Sequence, residues 1–291
     1  MLLFFMKFYW NSVANNSVKL LWKYADEMPK RFYLAIVRVL SRTNHKLTNG
    51  DYIQRIDLKS IDLADNEWPF YQVTMHSGSV WNTSSYQRVI RYIFGIDWIL
   101  LKLFESYGME TLLKGEVPEI VIDCGANVGE FSILCERRFG ASVYAFEPDP
   151  ISSYCHRLNT RGMKLVLFEL ALSDKTSSSI FYSAPDGADS SLYPPENTYK
   201  EILIQTRRFD EMPILFSQQG SRLLKMDAEG FEPEVLAGFG DTLQLFRWVT
   251  VDVSAERGGS GTGPEVISIL QKHGFDKIYY FSENIVHAKR N

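Results

Sequence analysis

The apolar run Ile120-Val121-Ile122 leads into Asp123-Cys124-Gly125-Ala126-Asn127-Val128-Gly129, and no other stretch constrains the fold as much. Branched residues in succession suit a strand covered on both faces. Gly125 permits a tight turn or a close backbone approach, because it has no Cβ. Gly129 can do the same where a helix begins near Glu130, with free N–H groups facing a polar ligand. Asp123 falls at the carboxyl end of the strand, where open α/β sheets bind ligands. A second strand, Ser142 to Phe146, ends in Glu147-Pro148. An acid there can accept hydrogen bonds from both hydroxyls of a ribose.

The pattern continues downstream. A helix is predicted over Pro150 to Arg161, a strand over Lys164 to Leu170, and the exit loop Ala171-Leu172-Ser173-Asp174 follows. Ser178 to Tyr182 and Leu203 to Arg207 read as a strand pair joined by the polar loop Asp186 to Ser191. That loop is either a lid over a ligand or an ordinary solvated turn. Next come a short helix over Phe209 to Gln218, a strand over Arg222 to Met226 and a helix from Pro233. Arg247 to Val253 is a strand, the run Gly258 to Gly263 is flexible by composition, and Pro264 to His273 is a helix. Lys277 to Phe281 and Ile285 to Ala288 are the closing strands. Strands alternating with helices predict a doubly wound, mostly parallel, seven-stranded Rossmann-like sheet.

The spacing Asp-x-Gly-x-x-x-Gly differs from the dinucleotide fingerprint Gly-x-Gly-x-x-Gly. A dinucleotide site brings backbone up to a diphosphate, whereas an acid beside the turn repels phosphate and suits an ammonium. S-adenosylmethionine carries that ammonium and a ribose but no phosphate, so it is the expected cofactor. Two other readings stand beside it: an NAD-linked oxidoreductase on a related sheet, and a non-catalytic module that keeps the fold and binds partners.

Residues 1–85 are expected to form a mainly helical, partly irregular extension, with the cofactor-binding domain at 86–291. Helices are predicted over Ser17 to Asp26 and Lys30 to Arg42. The second aligns Phe32, Ala35, Ile36, Val39 and Leu40 on one stripe, to be docked on the protein or laid on a membrane surface. Ser85 to Gly108 is predicted helical, broken near Gly95, with Val89, Tyr92, Ile93, Trp98, Leu101 and Phe104 buried and with one end of the cofactor pocket beneath it. The opening Met1 to Met6 is too short to span a bilayer. A net charge of −4 leaves no basic footprint for nucleic acid. The cysteines, Cys124, Cys135 and Cys155, show no metal-ligand spacing, and a cytoplasmic, reducing location with optional membrane contact is expected. Oligomeric state is not readable.

The motifs Asp123 to Ser132, Phe146-Glu147-Pro148, Ala171 to Asp174, Leu224-Lys225-Met226-Asp227-Ala228-Glu229-Gly230-Phe231-Glu232 and Val235 to Gly238 resemble, in order and spacing, the FkbM family of methyltransferases. The resemblance covers about residues 90–290 and implies a class I S-adenosylmethionine-dependent fold. It also implies O-methylation of a hydroxyl on a sugar, glycolipid or natural product. Asp252 departs from the glutamate expected in the fifth strand.

Site residues follow. Gly125, Ala126, Asn127 and Gly129 would line the methionine end of the cofactor, and Asp123 would hold its amino group. Glu147, with Pro148 fixing the bend, would grip the ribose. Phe146 would border the adenine or lie in the core, and Ala171 and Leu172 would flank the adenine. Asp227 is the expected base or substrate-orienting acid, with Glu229 beside it as a second acid or a helix cap. Lys225 would pair with Asp227 or Asp252, or reach an anionic acceptor. Mg²⁺ on Asp227 and Asp252 is weighed and set aside because no third ligand is evident. The five histidines show no metal spacing, although His76 has a route into the pocket from the extension.

Overall fold

The computed structural model describes residues 29–48, 51–63, 66–184, 190–194, 199–212 and 219–290. The helix expected over Ser17 to Asp26, most of the loop Asp186 to Ser191 and the end of the helix expected over Phe209 to Gln218 lie outside the described residues. The chain divides into two compact units, Met1–Leu101 and Lys102–Asn291.

In the first unit, helix α1 (Lys30–Thr48) precedes strands β1 (Ile53–Leu63), β2 (Asn66–Met75) and β3 (Val80–Thr83), and a 3₁₀ helix covers Gln87–Phe94. The strands form one antiparallel sheet in the order β1-β2-β3. Tyr71, Val73 and Met75 alternate onto its buried face. The described part of the extension is thus one helix on a three-stranded sheet, not mainly helical. The boundary also falls later than 85/86, because the 3₁₀ helix packs on α1. Tyr33 donates its hydroxyl to the Gln87 carbonyl at 2.8 Å, and Asn44 donates to the Ile93 carbonyl at 3.2 Å.

The face of α1 that is buried differs from the expected stripe. Tyr33, Val37, Ser41 and Asn44 point inward, while Phe32 and Val39 are 58% and 63% exposed. Polar groups decide this: Ser41 accepts from the Ile53 N–H at 2.8 Å, starting the sheet edge. Val89, Tyr92 and Ile93 are buried as expected, but Leu101 is exposed, Trp98 only partly covered, and Ile99 and Leu100 are buried instead. The cause is winding. A 3₁₀ helix turns every three residues, and Gly95 at φ 82° resets the phase before helix α2 (Ile96–Ser106). His76 stacks on Tyr52 at 4.6 Å within this unit.

The second unit opens with α3 (Met109–Leu113) and continues β4 (Ile120–Cys124), α4 (Glu130–Phe139), β5 (Ser142–Phe146), α5 (Pro150–Asn159) and β6 (Leu165–Phe168). Then come β7 (Ala171–Leu172), β8 (Ser177–Ser183) and β9 (Lys200–Arg207), followed by β10 (Arg222–Met226), α6 (Glu232–Phe239), β11 (Trp248–Asp252), α7 (Gly263–Lys272), β12 (Lys277–Tyr280) and β13 (Ile285–Lys289). The main sheet has seven strands in the order β12-β13-β11-β10-β4-β5-β6. Only β13 is antiparallel to its neighbours. This is the expected doubly wound Rossmann-like sheet. The strand order reverses between β4 and β10, which opens a crevice at their carboxyl ends.

Alternation sorts the two faces. Ile122, Cys124, Leu224, Met226, Val249 and Val251 pack with Val235, Leu236 and Phe239 of α6 and with Val266 and Leu270 of α7. Helices α3 and α4 cover the opposite face. Much of the aromatic content forms one column, in which Phe146 stacks on Phe168, meets Phe209 edge-on, and Phe209 stacks on Phe239. A smaller sheet, β7-β9-β8, holds the expected strand pair. The exit loop is itself its third strand.

Candidate active site

The turn after β4 is built by close approach. Gly125 has φ 72°, and a Cβ there would collide with the Asp227 carbonyl oxygen at the end of β10. Asn127 at φ 49° and Gly129 at φ 93° continue the left-handed turn into α4. The N–H groups of this turn are committed. Those of Gly125 and Ala126 both donate to the Phe146 carbonyl, each at 3.0 Å. Asn127 donates its N–H to Glu147 Oε2 at 2.7 Å, Val128 to the Asn127 side chain, and Gly129 to the Ala126 carbonyl. The turn itself thus keeps its N–H groups to the protein, while the first turn of α4 beyond Gly129 has no side-chain cap. A phosphate nest needs successive N–H groups pointing outward, and residues 125–129 have none to offer, which removes the support for a dinucleotide.

Glu147 closes this end of the crevice. It is buried, its Oε1 accepts from the Asp149 N–H at 2.9 Å across Pro148, and its backbone carbonyl accepts from Ser153. Each oxygen has accepted one bond and retains room for another. Burial, reinforced by Asp149, pushes its pKa up to about 8. Asp149 caps α5 by accepting from the N–H groups of Ile151 and Ser152, which fixes the bend in which Glu147 sits.

Asp123 is turned inward, not towards a ligand. Strand alternation directs it to the α4 face, where it is fully buried. Its register partner on β10 is Lys225, whose Nζ lies 3.3 Å from Asp123 Oδ1. Ser132 of α4 donates to Asp123 Oδ2 at 2.6 Å. Lys225 also donates to the Gly125 carbonyl at 2.8 Å and the Cys124 carbonyl at 3.3 Å, and lies 3.9 Å from Asp227 Oδ2. Burial pulls the Lys225 pKa down, but Asp123 and Asp227 outweigh it and the net shift is upward. Lys225 therefore stays an ammonium that braces the turn, and it pairs with Asp123 before Asp227.

Phe146 and Leu172 lie in the packed core, and Ala171 packs with Phe181 and Ile204. The backbones of Ala171 and Leu172 pair with β9. Ala171 and Leu172 are the residues expected to flank the adenine, and Phe146 takes the second of its two expected places, the core. The side chains of Ala171 and Leu172 instead fill the interior, because the exit segment becomes a strand.

The other side of the crevice is acidic. Asp227 is half-buried and accepts from the Tyr107 hydroxyl at 2.8 Å. The Tyr107 ring faces the Lys225 ammonium at 5.6 Å, and its backbone carbonyl contacts His287 Nε2 at 2.9 Å. Burial, then Asp227, raises the Tyr107 pKa well above the ordinary phenol value, so it stays a donor. Glu229 stands in the left-handed region at φ 51°, a conformation that costs energy for a side-chain-bearing residue. Ser191 holds its carbonyl at 2.8 Å, and Arg257 holds that of Gly230 at 2.8 Å. Glu229 does not cap α6. Its N-cap is Phe231, with no side-chain bond, and Glu232 instead braces the loop ahead of the helix, with Oε1 accepting from the Ala228 and Gly230 N–H groups and Oε2 from the Thr262 hydroxyl.

Glu256, which carries no motif of its own, stands among the crevice carboxyls with Glu229 as a side-chain neighbour. Burial, then Asp227, lifts its pKa to about 8. Asp252 accepts from the Ser254 N–H and hydroxyl, and its pKa is raised by burial and by Asp227. The glycine run is a tight hairpin: Arg257 and Ser260 exchange backbone hydrogen bonds across Gly258 and Gly259, at φ 57° and 80°. Among the described residues, no group of three or more His, Cys, Asp or Glu is arranged to hold a metal ion. All three cysteines are buried and unbridged.

A model of the Methyltransferase FkbM domain matches residues 123–277, just over half of the chain, including the glycine turn and the crevice acids. The chain belongs to the FkbM methyltransferase family. Among curated relatives, this FkbM methyltransferase is 27% identical over 186 residues to 2-O-methyltransferase NoeI of Sinorhizobium fredii, covering 58% of the chain and 76% of the relative. It is 26% identical over 146 residues to hexuronic acid methyltransferase AglP of Haloferax volcanii, covering 50% of the chain and 59% of the relative. Among solved structures, magnesium protoporphyrin IX methyltransferase of Synechocystis aligns at TM-score 0.40 and 14% identity, over 66% of this chain and 79% of that one.

Proposed function

We propose that this enzyme uses S-adenosylmethionine to methylate a hydroxyl group of a sugar, glycolipid or related small molecule. The single observation that carries the cofactor assignment is the pairing of a donor-saturated turn with the buried acid Glu147 at the end of the neighbouring strand. That arrangement offers acceptors to a ribose diol and no N–H group from residues 125–129 to a diphosphate. Among the partly exposed crevice acids, Asp227 is the one whose backbone lies against Gly125, and it replaces Asp123 as the candidate partner for the ammonium. The sugar assignment draws on the relatives, whose names specify 2-O- and hexuronic acid methylation.

When bound, the cofactor supplies an electrophilic methyl group on a sulfonium. The protein's part is alignment first, since in-line displacement gains most from positioning. Asp227, steadied by Tyr107 and Lys225, orients the acceptor hydroxyl. The bound cofactor would give up its methyl group to the acceptor oxygen with the carbon–sulfur electron pair left on sulfur, and what remains for the chain's own residues is the acceptor's proton. The hydroxyl proton passes to a carboxylate, and Glu256 is the better acceptor because it is more basic than an ordinary carboxylate and sits beside Asp227. Isothermal titration with S-adenosylhomocysteine, followed by an acceptor screen with labelled methyl donor, tests the proposal. Absence of binding at millimolar ligand defeats it.

A further inference from the structure

We propose that the outer face of α1 seats the protein on an anionic lipid surface, with the helix lying in the plane of the headgroups. The helix carries five cations, Lys30, Arg31, Arg38, Arg42 and Lys46, and no acidic residue, in a chain whose net charge is −4. Its inward side is polar for a packed helix: Tyr33, Val37, Ser41 and Asn44 bond or pack against the first unit. Arg38 is committed to that side through the Ile56 carbonyl at 2.9 Å. The opposite side, at helical spacing, shows Phe32, Ala35 and Val39 with Arg31, Arg42 and Lys46 along its edge, all of them exposed.

This reverses the usual arrangement, in which the apolar stripe faces the core and the charges face water. Large apolar side chains beside unopposed cations match a helix that buries one face among lipid headgroups. Charge selects the partner. An anionic leaflet attracts juxtamembrane Lys and Arg by about 1 kcal/mol each, roughly fivefold in affinity, while a neutral bilayer offers them little. A polyanion without an apolar layer would leave Phe32 and Val39 in water. No helix among the described residues is long and apolar enough to cross a membrane, so the contact is peripheral.

The test is co-sedimentation of the full chain with phosphatidylcholine vesicles, with and without phosphatidylserine. Wild-type protein is expected to bind only the serine-containing vesicles, and more weakly as salt is raised. The triple variant Arg31→Glu, Arg42→Glu, Lys46→Glu is expected to weaken binding at least tenfold, and the double variant Phe32→Ser, Val39→Ser to do so independently. These residues belong to the first unit and the crevice to the second, so helical content and S-adenosylhomocysteine affinity are expected to be unchanged and report an intact fold. No binding by wild type, equal binding to neutral vesicles, or triple-variant binding equal to wild type overturns the proposal. Because vesicle binding is read without cofactor, its failure would leave the methyltransferase assignment untouched.

Discussion

Glu147 is the residue on which cofactor affinity should turn, and its titration gives a signed prediction. Its free-state pKa is lifted to about 8, mainly by burial. A ribose diol donates two hydrogen bonds and so favours the ionised form. Binding should therefore release a proton, and S-adenosylhomocysteine should bind more weakly at pH 6 than at pH 9, with Glu147→Gln flattening the profile. Titration in buffers of different ionisation enthalpy would expose the proton, and a pH-independent affinity would move the ribose elsewhere. Gly125 is a steric case. An alanine there must accept positive φ and displace the Asp227 carbonyl, so Gly125→Ala should cost about 1–3 kcal/mol or more in urea denaturation. At the reacting end, Asp227→Asn and Glu256→Gln separate two roles. If Glu256 takes the proton, its glutamine variant should lose roughly a hundredfold or more in kcat and flatten the rise of rate with pH that the carboxyl of about pKa 8 would otherwise produce. The asparagine variant should instead raise the acceptor KM as well as lower the rate.

At the scale of elements, the pairing of β4 with β10 holds the crevice open at a defined width. Its register sets Asp123 opposite Lys225, and the ammonium then gathers the Cys124 and Gly125 carbonyls. Removing one partner of a buried ion pair strands the other charge, at about 3–5 kcal/mol, whereas replacing both is far milder. Lys225→Met should therefore destabilise strongly, and Asp123→Asn in the same chain should recover much of the loss. Chemical denaturation of the two singles and the double reads this directly. An additive double variant would show that the pair is not coupled.

For the whole molecule, buried titrating groups set the pH dependence of stability. Glu147 and Glu256 have folded pKa values near 8, raised by burial, with Asp252 and Glu232 shifted the same way. Above the ordinary carboxylate range the unfolded chain has lost these protons while the native state keeps them, so stability falls as pH rises towards 8. His156 acts oppositely: burial lowers it to about 4, so its contribution grows between pH 4 and its unfolded value near 6.5 and is constant above. Between pH 6.5 and 8 only the acids change, and the urea midpoint should fall across that window, less so with Glu147→Gln and Glu256→Gln combined. A midpoint that rises there would contradict the assigned burial of these acids.

The seven-stranded sheet, the turn at Gly125 and the acid at Glu147 were legible in the sequence because each rests on neighbours in the chain: branched runs, glycines and the strand-to-helix alternation. The inward turn of Asp123 was half-legible, since alternation fixes its face but not that Lys225 waits opposite. Tyr107 carried no local signal at all, for it meets Asp227 across 120 residues of chain. Glu256 was likewise invisible, its basicity being a property of the carboxyls assembled around it and not of its own sequence context. The stripe on α1 left two places open, against the protein or on a membrane surface, for the same reason: an apolar stripe says that a side is apolar, while the polar partners that Tyr33, Ser41 and Asn44 find elsewhere in the first unit choose which side turns in. Periodicity and backbone sterics act within a few residues and so determined the architecture. Burial, electrostatics and contact between distant segments exist only once the chain is folded, and those decided which side chains meet at the crevice and how strongly each holds its proton.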